Sequence, residues 1–405
     1  MPNSVIEKEK RPVVNILHAV DGYNEALAQQ KTLYQTGTDF NEQKGNVAQT
    51  IARLHPKRLQ LTVSEVIVDT PSTVTLRLTS NTQTLPPFQA GQYINLFVDI
   101  NGTKTARPYA ISSAPQQRDY YDLTIKRVEG GFVSNYLLDQ VKTGDSFEST
   151  GPMGTFYHNP LFHGDDLVFI AGGSGIAPAR SMIKDIVANT LVERKKNQKL
   201  HLIYTSSYQS DVIFDEELKQ LETEHDFLRI SWIITRPNEQ YQGMTGRINL
   251  ERLTQLLGDD AEKLQQKMFY VCGPTSFHDH CAEQLRLLNV KARRVRIECN
   301  GPPKNPQNLA GWPSNVNASD VIKVTIKGQG SFEARVDEPL LNSMERHGFS
   351  AENACRSGEC SLCRVKVLNG AVFNPAEAKL RSTDEAYGWC HSCVAFPLSD
   401  IEIMI

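Results

Sequence analysis

Four cysteines near the C-terminus carry the plainest chemistry in this sequence: Cys355-x4-Cys360-x2-Cys363, then Cys393 after 29 intervening residues. Three thiolates from one tight loop, with a fourth returned by a later strand, form the ligand set of a [2Fe-2S] cluster. A structural zinc site is the other common use of four thiolates. The loop Cys355-Arg-Ser-Gly-Glu-Cys360 is small and polar, as a loop must be if its backbone N–H groups are to face cluster sulfur. Five of the eight cysteines lie between Cys355 and Cys393. The first residues, Met1 to Arg11, lack an apolar core, so a disulfide framework is not expected and a cytoplasmic location is.

Three further clusters have residue types suited to nucleotides. In Arg107-Pro108-Tyr109-Ala110-Ile111-Ser112-Ser113 a guanidinium can meet a phosphate and an aromatic ring can pack on a flavin. Gly130-Gly131-Phe132-Val133-Ser134 can open a helix whose amides, with the Ser134 hydroxyl, hold a pyrophosphate. Ala171-Gly172-Gly173-Ser174-Gly175-Ile176-Ala177-Pro178 lies between a buried strand and a helix, where glycines admit a pyrophosphate and Pro178 suits the first helical turn. Tyr270-Val271-Cys272-Gly273-Pro274 ends another such strand.

Different scaffolds must hold these groups. Short β-branched runs at Leu61 to Val68, Thr73 to Leu78 and Tyr93 to Val98, separated by Pro, Gly and Asn turns, predict a small antiparallel β-barrel, closed by Gly151-Pro-Met-Gly-Thr-Phe156. Strands at Leu167 to Ala171, Leu200 to Tyr204 and Met268 to Val271 alternate with helical stretches at 178–190, 215–222 and 277–288, the pattern of a parallel α/β nucleotide-binding domain. A Pro- and Asn-rich stretch then reads as an exposed linker, followed by a hairpin at 321–326 and 332–336 and a short helix at 339–347. The chain is therefore expected to be multidomain: an N-terminal extension (1–55) of unknown role, with helix-like stretches at 25–34 and 41–54; a flavin-binding barrel (56–158); an NAD(P)H-binding domain (159–300); a linker (301–318); and an iron-sulfur domain (319–405). With 405 residues, 40% hydrophobic and 22% charged, the chain is an ordinary globular one. Its net charge of −3 and lack of a basic run speak against nucleic acid, and Leu167 to Ala171 is too short to span a membrane.

Over residues 58–298 the sequence resembles the ferredoxin-NADP reductase superfamily. From residue 319 it resembles plant-type ferredoxins, Gly388-Trp389-Cys390-His-Ser-Cys393-Val-Ala-Phe-Pro397 matching their fourth-ligand region. The resemblance implies an α+β, β-grasp ferredoxin domain with Cys393, not Cys390, as ligand. It implies that Arg107 binds the flavin phosphate, Tyr109 stacks on the ring, and Ala110, Ile111 and Ser112 flank it. Gly130 and Gly131 to Ser134 become the phosphate loop, and Gly172, Gly173, Gly175, Pro178, Gly273 and Pro274 contact the nicotinamide nucleotide. Cys272 then sits beside the nicotinamide, and Glu298 is the acidic residue facing the flavin. Two positions depart from the family: Ala110 stands where Ser or Thr usually serves flavin N5, and Cys299 stands where an aromatic is common.

FAD is expected over FMN, which the phthalate dioxygenase reductase branch uses with the same domain order. NADH is expected over NADPH, because no Arg or Lys lies between Tyr204 and Asp215, although Arg236 could reach a 2′-phosphate. The implied reaction takes hydride from NAD(P)H to flavin and then single electrons to the cluster and a partner protein. The resemblance allows a Rieske-type terminal oxygenase, a hybrid-cluster protein or another metalloenzyme as that partner. Two other readings stay open: a stand-alone small-molecule reductase, and a non-catalytic electron-relay or redox-sensing subunit.

Overall fold

The computed structural model describes residues 4–8, 24–26, 28–29, 50, 58–82, 84–193, 197–298, 301–303, 305–349, 351–353, 355–358 and 360–405. The helix-like stretches expected at 25–34 and 41–54 lie almost wholly outside them, as does Cys299. The first strand, β1 (Ser4–Lys8), precedes the barrel in sequence.

The barrel consists of β2 (Leu59–Thr70), β3 (Thr73–Thr79), β4 (Tyr93–Ile100), β5 (Thr103–Ala110), β6 (Tyr121–Lys126) and β7 (Ser146–Ser149), in the order β5-β4-β7-β2-β3-β6. All its pairings are antiparallel. Alternate residues such as Leu59, Leu61 and Val63 fill its core, the period-2 pattern of a sheet with one buried face. The β4–β5 turn is Asn101-Gly102, both with positive φ (53° and 83°), as a two-residue hairpin requires. That turn sets a register in which Leu96 opposes Arg107 and Ile94 opposes Tyr109. A bridge from Ile111 to Leu123 joins the two edge strands. Closure therefore falls to Ile111, not to the expected segment 151–156, which contributes only a Met153–Tyr93 bridge. Pro152 has no N–H to donate and Gly154 sits at φ 111°, so that segment cannot continue a ladder.

The second sheet is parallel: β8 (Asp166–Gly172), β9 (Lys199–Ser206), β10 (Leu228–Ile234), β11 (Met244–Thr245), β12 (Met268–Cys272) and β13 (Val295–Ile297), ordered β11-β10-β9-β8-β12-β13. Helices Ile176–Glu193, Asp215–Glu224 and Thr275–Leu287 fall where the sequence predicts them. The strand order reverses between β8 and β12, which opens a crevice at their C-terminal ends. The glycine-rich turn and Cys272-Gly273-Pro274 follow those two ends.

The third sheet contains β14 (Val321–Ile326), β15 (Gly330–Arg335), β16 (Arg364–Asn374), β17 (Trp389–His391), β18 (Phe396–Pro397) and β19 (Ile401–Met404), with helix Leu340–Arg346. It is mixed: β14 pairs antiparallel with β15 and parallel with β19, and β16 runs antiparallel to β19. β1 adds to its edge, Ser4 opposite Asn374 and Lys8 opposite Gly370. This strand of the N-terminal extension thus pairs with the third domain.

The stretch expected to be an exposed linker is partly packed. Pro306 is buried, and Trp312 meets the rings of Phe373 and Phe396 edge-on at centroid distances of 5.2 and 6.3 Å. Replacing Trp312 with Ala should destabilise the third domain by about 2 kcal/mol, less than removing a fully buried large aromatic costs, because Trp312 is only partly buried. The check is a lower guanidinium midpoint for loss of cluster absorbance, and an unchanged midpoint would refute the packing role.

Candidate active site

One cleft of about 930 Å³ is walled by all three domains, at the upper end of the usual range for ligand sites. Arg107, Pro108, Tyr109 and Ala110 line it from the barrel, and Gly131 to Ser134 from the start of helix Phe132–Asp139. Ser174, Pro178, Cys272, Gly273, Pro274 and Glu298 line it from the second domain, and Cys355, Arg356 and Cys393 from the third.

On the barrel wall, Arg107 and Tyr109 share a face because side chains alternate along β5. Arg107 Nη1 donates to Thr105 Oγ1 at 2.8 Å and to Ala106 O at 2.7 Å, which aims the guanidinium. Burial raises the pKa of the Tyr109 phenol, so it stays neutral. Ala110 reaches the cleft without a side-chain donor. Two expected neighbours do not reach it. Ile111 and Ser112 are completely buried in the barrel, because the chain turns inward at the closing bridge. The Ser112 hydroxyl lies 3.1 Å from Asp122 O and 2.8 Å from Thr124 Oγ1, and Ser112 O accepts from Arg180 Nη1 at 2.8 Å. Ser112 therefore joins barrel to nucleotide domain. Gly131 caps the helix, and Ser134 Oγ accepts the Val128 N–H at 3.2 Å, which leaves its own proton available.

On the second wall the two strand ends fit together through Gly175. A Cβ there would lie 2.2 Å from Cys272 O and 2.8 Å from Gly273 N. Gly172 is buried against Phe277, and Gly173 takes the positive φ (54°) of the turn; like Gly175 and Gly130, they shape the cleft's rim without lining it. Cys272 and Glu298, 26 residues apart, meet: the Cys272 thiol donates to Glu298 Oε2 at 2.9 Å. Sequence reasoning missed Lys126, whose Nζ lies 2.8 Å from Asp211 Oδ2 and links barrel to nucleotide domain. It also missed Arg296, which donates to Thr155 O at 3.1 Å from the cleft wall.

On the third wall the sulfurs of Cys355, Cys360, Cys363 and Cys393 form a chain of thiol contacts. The N–H groups of Ser357 and Cys360 approach Cys355 Sγ at 3.4 Å. The Cys360 thiol facing Cys355, and the Cys393 thiol facing Cys363, hold those two below the ordinary thiol range. Arg356 (φ 53°) and Ser361 (φ 59°) are left-handed, a conformation that turns successive amides into a concave loop. His391 Nδ1 lies 2.8 Å from Gly358 O and 2.6 Å from Ala378 O, which ties the loop to the core. Cys390 is fully buried, and burial holds its thiol protonated. Four converging thiols with amides turned toward sulfur fit a [2Fe-2S] cluster, and a cleft with a guanidinium and a helix N-terminus on one wall fits a flavin nucleotide.

Family models agree with this geometry domain by domain: an oxidoreductase FAD-binding domain at residues 58–158, an oxidoreductase NAD-binding domain at 169–283 and a 2Fe-2S iron-sulfur cluster binding domain at 324–398. The chain belongs to the ferredoxin-NADP reductase superfamily, with a C-terminal [2Fe-2S] domain. This reductase is 28% identical over 328 residues to the glycine betaine monooxygenase reductase subunit of Pseudomonas aeruginosa, covering 78% of this chain and 87% of that one. It is 26% identical over 352 residues to the ferredoxin reductase component of the 3-ketosteroid-9-alpha-monooxygenase of Rhodococcus rhodochrous, covering 84% and 94%. A solved phthalate dioxygenase reductase shares the fold of the reductase, with a TM-score of 0.61 and 20% identity over 86% of this chain and 97% of that one. The reductase is an NAD(P)H oxidoreductase with FAD and a [2Fe-2S] cluster as its electron carriers.

Gly175→Ala should separate the two strand ends by pushing Cys272 away. We expect kcat/KM for NADH to fall by at least about tenfold, in line with the cost of misplacing reacting groups by an ångström, with flavin and cluster absorbance retained. A variant with wild-type kcat/KM would contradict the role of this contact.

Proposed function

We propose that this chain is the reductase component of a multi-component oxygenase system, taking electrons from NADH and delivering them to a terminal oxygenase of the Rieske type. The observation that carries it is the single cleft on which Tyr109, Cys272 with Glu298, and Cys355 with Cys393 all open. When bound, the flavin accepts two electrons together from the nicotinamide and releases them singly to the cluster.

The chain's own residues bind, orient and exclude water. Arg107 and the amides of Gly131 to Ser134 would hold the flavin phosphates, and Tyr109 would pack against the ring. The glycine-rich turn and Gly273-Pro274 would seat the nicotinamide nucleotide at the strand switch point. Cys272, its thiol proton directed to Glu298 Oε2, would stand beside the nicotinamide. Since Ala110 has no hydroxyl, a backbone N–H would serve the flavin at that place. NADH is favoured because Arg236 Nη1 is engaged with Tyr208 Oη at 3.3 Å and Tyr204 to Asp215 contains no Arg or Lys. Cys355, Cys360, Cys363 and Cys393 would ligate the cluster. A protein acceptor of the oxygenase class is supported by relatives named as reductase components of glycine betaine and 3-ketosteroid monooxygenases. Among the described residues no helix is long and apolar enough to cross a membrane, and we place the protein in the cytoplasm.

The test separates flavin from cluster. Cys360→Ser should abolish cluster absorbance and NADH-dependent cytochrome c reduction while ferricyanide reduction stays within about twofold, since only the later carrier is lost. Equal survival of both activities would refute the proposed order, and a purified protein without flavin would refute the reading altogether.

A further inference from the structure

Two arginines and one glutamate meet where the barrel touches the iron-sulfur loop. Arg107 Nη1 donates to Thr105 Oγ1 at 2.8 Å, and Thr105 Oγ1 donates to Glu345 Oε2 at 3.1 Å. Glu345 Oε1 accepts from Arg356 Nη2, and Arg356 Nη1 reaches Asn342 Oδ1 at 3.3 Å. A second strut lies nearby: Asn95 Nδ2 of the barrel donates to Asn353 O at 3.0 Å.

The charges in this network do not balance. Among the described residues two guanidinium groups lie by one carboxylate: Arg356 pairs with Glu345 directly, both side chains being only 6% and 8% exposed, while Arg107 reaches it only through Thr105. A buried charge is costly unless it is paired. Arg356 Nε is buried with no hydrogen-bond acceptor among the described residues, and a buried donor left unsatisfied is also costly. The two arginines oppose each other, for burial and then the charge of Arg356 lower the pKa of Arg107. Carboxylates elsewhere on the cleft wall are engaged, Glu298 with the Cys272 thiol and Asp279 with His278 at 3.0 Å. Lys379, on the same wall, adds positive charge. Both arginines line the cleft, so an anion bound inside it would lie beside both guanidinium groups.

We propose that Arg356, on the iron-sulfur loop, is a second cationic ligand for the flavin phosphate held by Arg107, so that one phosphate group clamps the ferredoxin domain to the barrel. This rests on the assignment of Arg107 to the flavin phosphate made above. Guanidinium groups suit the task because their fork of donors matches phosphate oxygens. Flavin binding and docking of the third domain then become linked equilibria, each strengthening the other.

The experiment titrates FAD, FMN and riboflavin into full-length protein stripped of flavin but retaining its cluster, and reads binding from flavin fluorescence. For Arg356→Gln the dissociation constants of FAD and FMN should rise at least tenfold, while that of riboflavin, which has no phosphate, moves less than twofold. An equal rise for all three flavins would make Arg356 a packing residue, and no rise for FAD and FMN would also overturn the proposal. Arg107→Gln separates the two levels of the argument. If it weakens FAD and FMN selectively and Arg356→Gln does not, only the second ligand fails. If neither does, the placement of the phosphate at Arg107 fails as well. Should Arg356→Gln lose its cluster, Arg356→Lys keeps a charge for Glu345 without the planar fork of donors. It should still cost about threefold for FMN and FAD and nothing for riboflavin, and unchanged binding of all three would overturn the proposal.

Discussion

Nicotinamide nucleotides give up electrons in pairs and a [2Fe-2S] cluster accepts them one at a time, so a flavin has to stand between the two within reach of both. That constraint explains why three independently built domains open on one cleft. Each domain has its own core, yet each ends its functional loops on the same space. The barrel delivers Arg107 and Tyr109 through a hairpin whose Asn101-Gly102 turn fixes their register. The parallel sheet delivers Cys272 at the point where its strand order reverses. The third domain delivers a cysteine loop with a concave, amide-lined inner surface.

Polar bonds between domains help to keep the walls in place. Arg180 and Ser181 bond to the carbonyls of Ser112 and Ser113, and Ser72 and Lys126 both bind Asp211. Glu345 and Asn353 tie the ferredoxin-like domain to the barrel. Apolar packing, as of Phe156 edge-on to Tyr270, holds barrel and nucleotide domain together as well, but hydrogen bonds to backbone carbonyls also fix orientation. In a site where an ångström of misplacement is costly, orientation is the more valuable property.

The parts legible in the sequence are those whose chemistry is local. Three cysteines at ligand spacing, and a glycine-rich turn between strand and helix, declare themselves because each lies on a single short loop, and Cys393 follows from the need for a fourth ligand. Cys272 and Glu298 were legible only through family resemblance, since 26 residues separate them before β12 and β13 pair. Ile111 and Ser112 were placed beside the flavin by resemblance alone, and nothing in their local sequence marked the closing bridge that turns their side chains inward. Glu345, Thr105, Asn95 and Lys126 gave no signal, as their partners lie in other domains and nothing in their own neighbourhoods marks them. Trp312 was hidden in a stretch whose Pro and Asn content spoke for exposure, and the pairing of β1 with β16 spans most of the chain.

The central claim is that electrons pass between carriers inside one molecule, across one cleft. Anaerobic rapid mixing of the protein with one equivalent of NADH, followed at wavelengths for flavin and cluster, tests this most directly. Flavin bleaching should precede cluster bleaching, and the first-order rate constant for the cluster should be the same at every protein concentration. A cluster rate that rises in proportion to protein concentration would place the transfer between molecules and contradict the account.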